Sequence, residues 1–397
     1  MKNEIFTVVD GVDISLTNIN GKTIELSRMF LSIDLYESIF DFFLSGKLVI
    51  VDTLDLMSNF IIIGNETLNF GIRTTDTDKQ IDFNFRIYKV NPDVDDHRGD
   101  RKRRIIEFYF CSEEALTNDK ISISKKFSDK PETIIQDVLT NYLSSTKTLD
   151  SEATTDIVDV YSNYWKANRL INFISKISKN SNYFDYIFFE TFDGFTFKSL
   201  SGLLMEESVQ NVDFSTHTES FIGNTIKIHK FEKVFDIVQS LKSGLFGTTF
   251  YKPHETNYSY LKESATLDEN YDTIASNGSS KHFDVALSDT NNMVNTNFYE
   301  PDISKVRLAS LKLLDSYNFV IRMNGNFDRK CGDNLNIEFP NFDNESATSD
   351  SFTGNWLITS IRHTILQNNT YRQNISLSKN AFFNNQNLPS ISTLVKA

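Results

Sequence analysis

Cysteine is nearly missing from this chain, and the chemistries that depend on it go with it. Cys111 and Cys331 stand far apart, too few for a disulfide framework or a thiolate metal site. They read as two buried thiols of a reducing compartment. Proline, at six residues, is also scarce, which leaves little material for extended linkers. No apolar run approaches the ~20 residues of a membrane-spanning helix. Behind Met1-Lys2-Asn3-Glu4 there is no apolar stretch of the signal-peptide kind. A soluble product without a membrane anchor, made in a cytoplasm, is therefore expected. Positive charge is short as well. The net charge of −13 argues against a general affinity for nucleic acid or anionic membrane, and a surface that must not stick to DNA needs the same balance.

Catalytic signatures are absent too. The six histidines (His97, His217, His229, His254, His282 and His363) are scattered, with no i,i+4 pair and no Cys or Glu at ligand spacing. His229 and His363 fall in strand patterns and read as structural. No G-x-S-x-G elbow, P-loop or dinucleotide fingerprint occurs, and no carboxylate pair is singled out. Asn-X-Ser/Thr matches such as Asn65-Glu66-Thr67 come cheaply in a chain this rich in Asn. The sequence thus names no catalytic, cofactor-binding or metal-ligating residue, and no enzyme is expected.

What is present is aromatic: 34 Phe and 15 Tyr, in a chain that is 40% hydrophobic and 23% charged. That is a globular composition which favours strands, and 397 residues allow two or three domains. Residues 1–115 form a first β block. Leu48 and Ile50 oppose Val49 and Val51 on a strand leaving a Ser45-Gly46 turn. Ile81, Phe83, Phe85 and Ile87 alternate with Asp82, Asn84 and Arg86, and Ile106, Phe108 and Phe110 mark the hairpin partner. Between them, residues 93–104 run from acid to base. Their spacing fails the calcium-loop template, so they read as a solvated hairpin tip, with a protein contact as the functional alternative.

Residues 116–212 change character. Pro131 opens a helix with the stripe Ile134, Ile135, Val138, Leu139 and Tyr142, and residues 166–180 form a second helix. A hairpin then turns at Asp193-Gly194, a type I′ signal. Strand periodicity returns at residues 225–230 and 235–241. Residues 248–300 hold no sustained period and read as an irregular peripheral region, and residues 384–397 as a loose tail.

Residues 301–379 carry the clearest pattern. Val306, Ala309, Leu313 and Leu314 recur at helical spacing behind Pro301; then Phe319, Ile321 and Met323 alternate as a strand does. After Asn324-Gly325-Asn326 come further strands at Leu335-Ile337-Phe339, residues 356–365, and Tyr371-Gln373-Ile375-Leu377. One helix and a meander make a small barrel. A faint repeat links the halves: Gly64-Asn65 precedes Leu68, Phe70 and Ile72 as Gly332-Asp333 precedes Leu335, Ile337 and Phe339.

The run Gly325-Asn326-Phe327, the Gly332-Asp333 turn, "NWLITSIRHTI" and "YRQNISLSKNAF" resemble the second tube domain of phage baseplate hub proteins, a superfamily shared with contractile injection systems. "SGKLVIVDTLDLMSNFIIIGNETLNFGI" resembles the first tube domain, and "YIFFETFDGFTFKSL" the hairpin closing the α/β insert between them. The resemblance implies a mainly β chain with an α+β insert and two similar antiparallel β-barrel (tube) domains, the second built from residues 213–247 with 301–383. It implies a homotrimer in the tail baseplate of a virion with a contractile tail. Its partners would be a central spike protein, tail tube or tube-initiator proteins and other baseplate proteins, without sequence-specific nucleic acid. Rival readings are a tail-associated cell-wall-degrading enzyme and a host-receptor-binding tail protein; neither has the motif or repeat it would need.

Overall fold

Period-two patterning becomes strand in both halves of the chain. The computed structural model describes residues 7–74, 80–96, 103–214, 225–233, 236–243, 245–254, 259–266, 292–294, 301–314, 317–339 and 352–380. The first block holds β1 (Thr7–Thr17), β2 (Thr23–Glu25), β3 (Phe30–Ser38), β4 (Ser45–Asp52), the turn α1 (Leu56–Asn59), β5 (Thr67–Thr74), β6 (Gln80–Asp96) and β7 (Arg103–Cys111). The insert runs through α2 (Glu113–Lys120), β8 (Ile123–Asp129), α3 (Pro131–Asp137), β9 (Leu149–Ser151), β10 (Val158–Trp165), α4 (Ala167–Ile177), β11 (Tyr186–Thr191), β12 (Gly194–Ser199) and α5 (Leu200–Met205). There follow β13 (Ser208–Phe214), β14 (Thr225–Lys233), α6 (Ile237–Ser243), β15 (Gly247–His254), β16 (Ser259–Thr266) and β17 (Asn292–Val294). The last elements are α7 (Pro301–Leu314), β18 (Tyr317–Asn324), β19 (Asn334–Glu338), β20 (Gly354–Leu366) and β21 (Thr370–Lys379).

Hydrogen-bonded strands close two rings. The first runs β3-β4-β7-β6-β5-β1-β21-β20 and returns from β20 to β3. The second runs β20-β21-β18-β14-β13-β19 and closes through β19 and β20. The β20–β21 hairpin belongs to both. Residues 354–357 of β20 pair with β19, and residues 360–366 pair with β3. On β21, residues 372–379 pair with β18, while Thr370 and Tyr371 pair with β1. The chain is mainly β with an α+β insert, as its patterning indicates.

Each ring has its own core. Ile14, Leu48, Phe70, Phe108 and Phe110 fill the first; Phe319, Ile321, Leu335, Ile337 and Trp356 fill the second. The insert packs Ile135, Leu139, Leu170, Ile174, Phe188 and Phe197 into a third. The strand order β14-β18-β21-β20-β19-β13 reproduces β3-β4-β7-β6-β5-β1, so the faint repeat is a repeat of topology. Gly64 at φ +86° and Gly332 at φ +93° open equivalent turns before β5 and β19.

Several expectations need correction. Ser45-Gly46 is not a turn: both residues lie within β4, and a Cβ on Gly46 would stand 2.3 Å from the Phe110 ring. The glycine admits that ring rather than bending the chain. Of residues 235–241, read as strand, 237–241 lie in the helix α6. Asp236 accepts the Gln239 N–H at 2.9 Å, and its carbonyl takes the Ser240 N–H, a local start that alternation cannot reveal. Within 248–300, β15, β16 and β17 form a three-stranded sheet instead of an irregular excursion. Strand β13, assigned mostly to the insert by the boundary at 212, belongs to the second ring. It lies parallel to both β14 and β19, because it enters from α5 and not through a hairpin. The β11–β12 connection leaves Phe192 and Asp193 at negative φ, so it is not type I′; Gly194 takes φ +135°. Residues 97–102 and 384–397 lie outside the described residues.

Phe85 and Ile337 occupy inward positions of the two cores and are 3% and 0% exposed. Phe85→Ala and Ile337→Ala should each lower unfolding free energy by about 2–5 kcal/mol in urea titrations. Losses below about 0.5 kcal/mol would show that these positions carry no packing.

Candidate functional interface at the junction of barrels and insert

The most unusual chemistry lies where the two rings and the insert meet. Along β3 the inward stripe Ile33, Leu35 ends on Glu37, an acid at a core position and only 2% exposed. Its two oxygens serve different bodies. Oε1 accepts the backbone N–H of Phe192 from the insert hairpin, and Oε2 that of Cys331 from the second ring, both at 3.1 Å. Burial pushes the Glu37 carboxyl up to about 8, against the pull of those two N–H groups. Asp333, two residues after Cys331, is raised to about 6, also by burial.

Around Glu37 the contacts remain polar and directional. Arg362 of β20 grips Asp34 of β3 with Nε at 3.1 Å and Nη2 at 3.0 Å, a bidentate clamp across the ring seam. Thr364 adds its hydroxyl to Asp34 at 2.7 Å. His363, fully buried, places Nδ1 2.8 Å from the Tyr371 hydroxyl and 3.2 Å from the Gln373 amide nitrogen. Burial, then Arg329, hold this imidazole near 3, so it is neutral at physiological pH. Arg329 donates to Gln373 at 2.7 Å and to Asn324 at 3.2 Å. Phe192 and Phe327 lie against the imidazole, with centroids 4.7 and 5.8 Å away.

The insert is anchored by two further buried carboxylates. Glu190 of β11 accepts the Leu44 N–H at 2.8 Å and the Ser112 hydroxyl at 2.7 Å, both from the first block. Lys147 joins it at 2.5 Å and reaches Glu114 at 2.7 Å. Asp185 takes the Ser201 hydroxyl at 2.7 Å and the Ser310 hydroxyl of α7. Arg307, also on α7, donates to the carbonyls of Ser175 and Tyr186. The Asn334 amide of β19 caps α5 through the carbonyls of Leu203 and Glu206, at 2.7 and 2.9 Å.

The arrangement ties the two rings and the insert together. The acids accept structural N–H and O–H groups, and they are spread across seams rather than gathered on a cleft. Among the described residues no group of three or more His, Cys, Asp or Glu could hold a metal ion, and no helix is long and apolar enough to cross a membrane. Cys111 and Cys331 are both free and buried. Asp82 and Glu338, the outward acids of their strands, are exposed, and Asp82 lines a groove of about 380 Å³ with Asp13 and Glu25. Arg104 pairs with Asp55 at 3.1 Å. Sequence reasoning missed the joint acids. The available signal was a charged residue in phase with a core stripe, as in Ile33-Leu35-Glu37.

No family model and no curated protein sequence matches the chain. Its fold, however, is similar to solved structures. The 43 kDa tail protein of prophage MuSo2 from Shewanella oneidensis superposes with TM-score 0.60 at 10% identity, over 93% of this chain and 99% of that one. A tail protein from Neisseria meningitidis gives 0.58 at 10% identity, over 94% and 98%. A chain of the half-lidded Francisella PdpA–VgrG complex gives 0.51 at 11% identity, over 97% of this chain and 61% of that one. The chain shares the fold of these solved structures.

Glu37 yields a pH dependence of definite sign. Its carboxyl, ordinarily near 4.5, holds its proton to about 8 when folded, so between those values the native state binds a proton that the unfolded chain has lost. Stability contributed by the group is full below 4.5 and falls as pH rises towards 8. Asp333 acts with the same sign only up to about 6, and His363 acts oppositely between about 3 and 6.5. From pH 6.5 to 8 the urea midpoint of the wild type should therefore decline, and that of Glu37→Gln should decline less. Equal slopes for the two proteins would refute the assignment.

Proposed function

We propose that the chain is a structural hub component of a phage tail or a related injection machine. In this reading three copies form a ring of six barrel units in the tail baseplate. The ring presents near-six-fold symmetry to the tail tube and three-fold symmetry to a central spike, and lines the channel for DNA. The observation that carries it is the repeated ring topology: one chain supplies two barrels of the same strand order. Similarity to tail proteins over nearly their whole length supports the placement in a virion tail.

The joint supports a structural rather than an enzymatic role. A hub must pass load between tube and spike without its barrels slipping, and clamped carboxylates at three seams resist such shear. The acid surplus supports passage of DNA. Lys and Arg on a channel wall would bind phosphates through counterion release and stall transit, whereas the −13 balance supplies carboxylates such as Asp82, Asp13 and Glu25 to a wall.

Light scattering should give three times the 45.6 kDa chain mass, and particle images down the ring axis should show six similar lobes. The isolated ring should bind duplex DNA weakly, with little salt dependence. A monomer at tens of micromolar, or tight binding that collapses with added salt, would overturn the reading.

A further inference from the structure

Where the insert is anchored to the first block, an amine and a buried acid stand in contact. Lys147 lies two residues before β9, a strand of three residues. Among the described residues β9 meets only β12, in parallel, and β11 lies beyond β12 in the same sheet. Lys147 nevertheless reaches Glu190 on β11, 43 positions away, with Nζ 2.5 Å from Oε1. The same nitrogen is 2.7 Å from Glu114. The Lys147 side chain is 34% exposed, whereas those of Glu190 and Glu114 are 0% and 6% exposed, so the amine is carried from the surface onto two buried acids. Nζ also stands over the Phe195 ring, 5.6 Å from its centroid.

The two oxygens of Glu190 are differently placed. Oε2 accepts the Leu44 N–H at 2.8 Å and the Ser112 hydroxyl at 2.7 Å, two donors on one carboxyl oxygen, as in an oxyanion site. Oε1 faces the amine. Glu114 is within hydrogen-bond reach of that amine through Oε2, and Ser145 holds its other oxygen at 2.6 Å. A salt bridge needs one carboxylate; a condensation needs a second to carry protons.

We infer that Lys147 and Glu190 condense to an intramolecular isopeptide bond, with Glu114 as the proton relay. The bond stands independently of the ring reading above. Its atoms balance without a co-reactant. From the ammonium–carboxylate pair, Glu114 relays one proton from Nζ to Oε1, leaving a neutral amine beside a neutral carboxyl. Nζ attacks Cδ, the C–N bond forms, and the charge developing on Oε2 falls to the Leu44 N–H and the Ser112 hydroxyl. Glu114 carries a second proton from nitrogen to Oε1, the C–Oε1 bond breaks, and one water leaves. The third N–H stays on the amide.

Electrostatics assigns the roles. Burial raises the Glu190 carboxyl against the pull of Lys147, and Glu114 adds to the rise, so Glu190 is the acid that takes the first proton. Burial opposes the charge on Lys147, but the two acids outweigh it and raise its pKa. The amine is therefore freed only as its proton passes to an acid, which is the task of Glu114. Enclosure of Glu190 keeps water, the reagent of the reverse reaction, from the carbonyl. The bond pins the short strand β9 to β11 across β12, at the point where Leu44 and Ser112 fasten the insert to the first block.

The intact mass of the full chain, unfolded in acid, tests the bond. The wild type should be lighter than its sequence requires by one water, and a tryptic digest should contain one branched species joining the peptides of Lys147 and Glu190. Lys147→Arg keeps the charge and should restore the full mass. Glu114→Gln should leave most molecules at full mass with an unchanged circular dichroism spectrum. A wild type at full mass is a salt bridge only and overturns the bond, as does a loss of water that persists in Lys147→Arg. A Glu114→Gln chain that closes as completely as the wild type overturns the relay. Should that variant misfold, the branched peptide of the wild type decides by its presence or absence.

Discussion

A buried backbone cannot leave its N–H and C=O groups unpaired, and in this molecule that constraint falls on one hairpin. Strands β20 and β21 are long enough to be divided along their length between two rings. Neither barrel closes without them. The first uses residues 360–366 and 370–371 as its last two staves; the second uses 354–357 and 372–379. Two barrels joined by a loop would hinge. Two that share a hydrogen-bonded ladder move as one body, because bending at the seam would break main-chain bonds on both sides.

Side chains then fix the angle that the ladder permits. The bidentate Arg362–Asp34 pair sits on the shared strand, and Glu37 ties the insert and the second ring to the same edge of the first. An apolar seam would be as strong, but it would slide. A carboxyl that accepts one N–H from each of two bodies accepts them at only one relative position, so its burial serves geometry more than stability.

Much of this was legible where one physical cause dominates. Phe319-Ile321-Met323 and Ile81-Phe83-Phe85-Ile87 have one face in a core and one outside, and period two follows directly. The joint was not legible, because Glu37 and Glu190 are explained by residues far away in sequence, Cys331 and Leu44 among them. Gly46 misled for a related reason: glycine suggests a turn locally, whereas its cause here is the ring of Phe110. Helix α6 was lost because Ile237 and Leu241, four positions apart, satisfy either period over so short a span. The repeat was faint in residues but clear in strand order, since topology survives substitutions that erase side-chain likeness.

The division of the hairpin also sets an order of events during synthesis. Asp34 and Thr364, in contact at 2.7 Å, are 330 positions apart, and β3 and β1 are made long before the strands that cover them. At ribosomal speeds of about 5–20 residues per second, the N-terminal barrel waits some tens of seconds with two raw edges. Contacts of such sequence separation carry a loop-closure cost and slow the closing of both rings. A chain truncated anywhere before the hairpin lacks the two strands that close both rings.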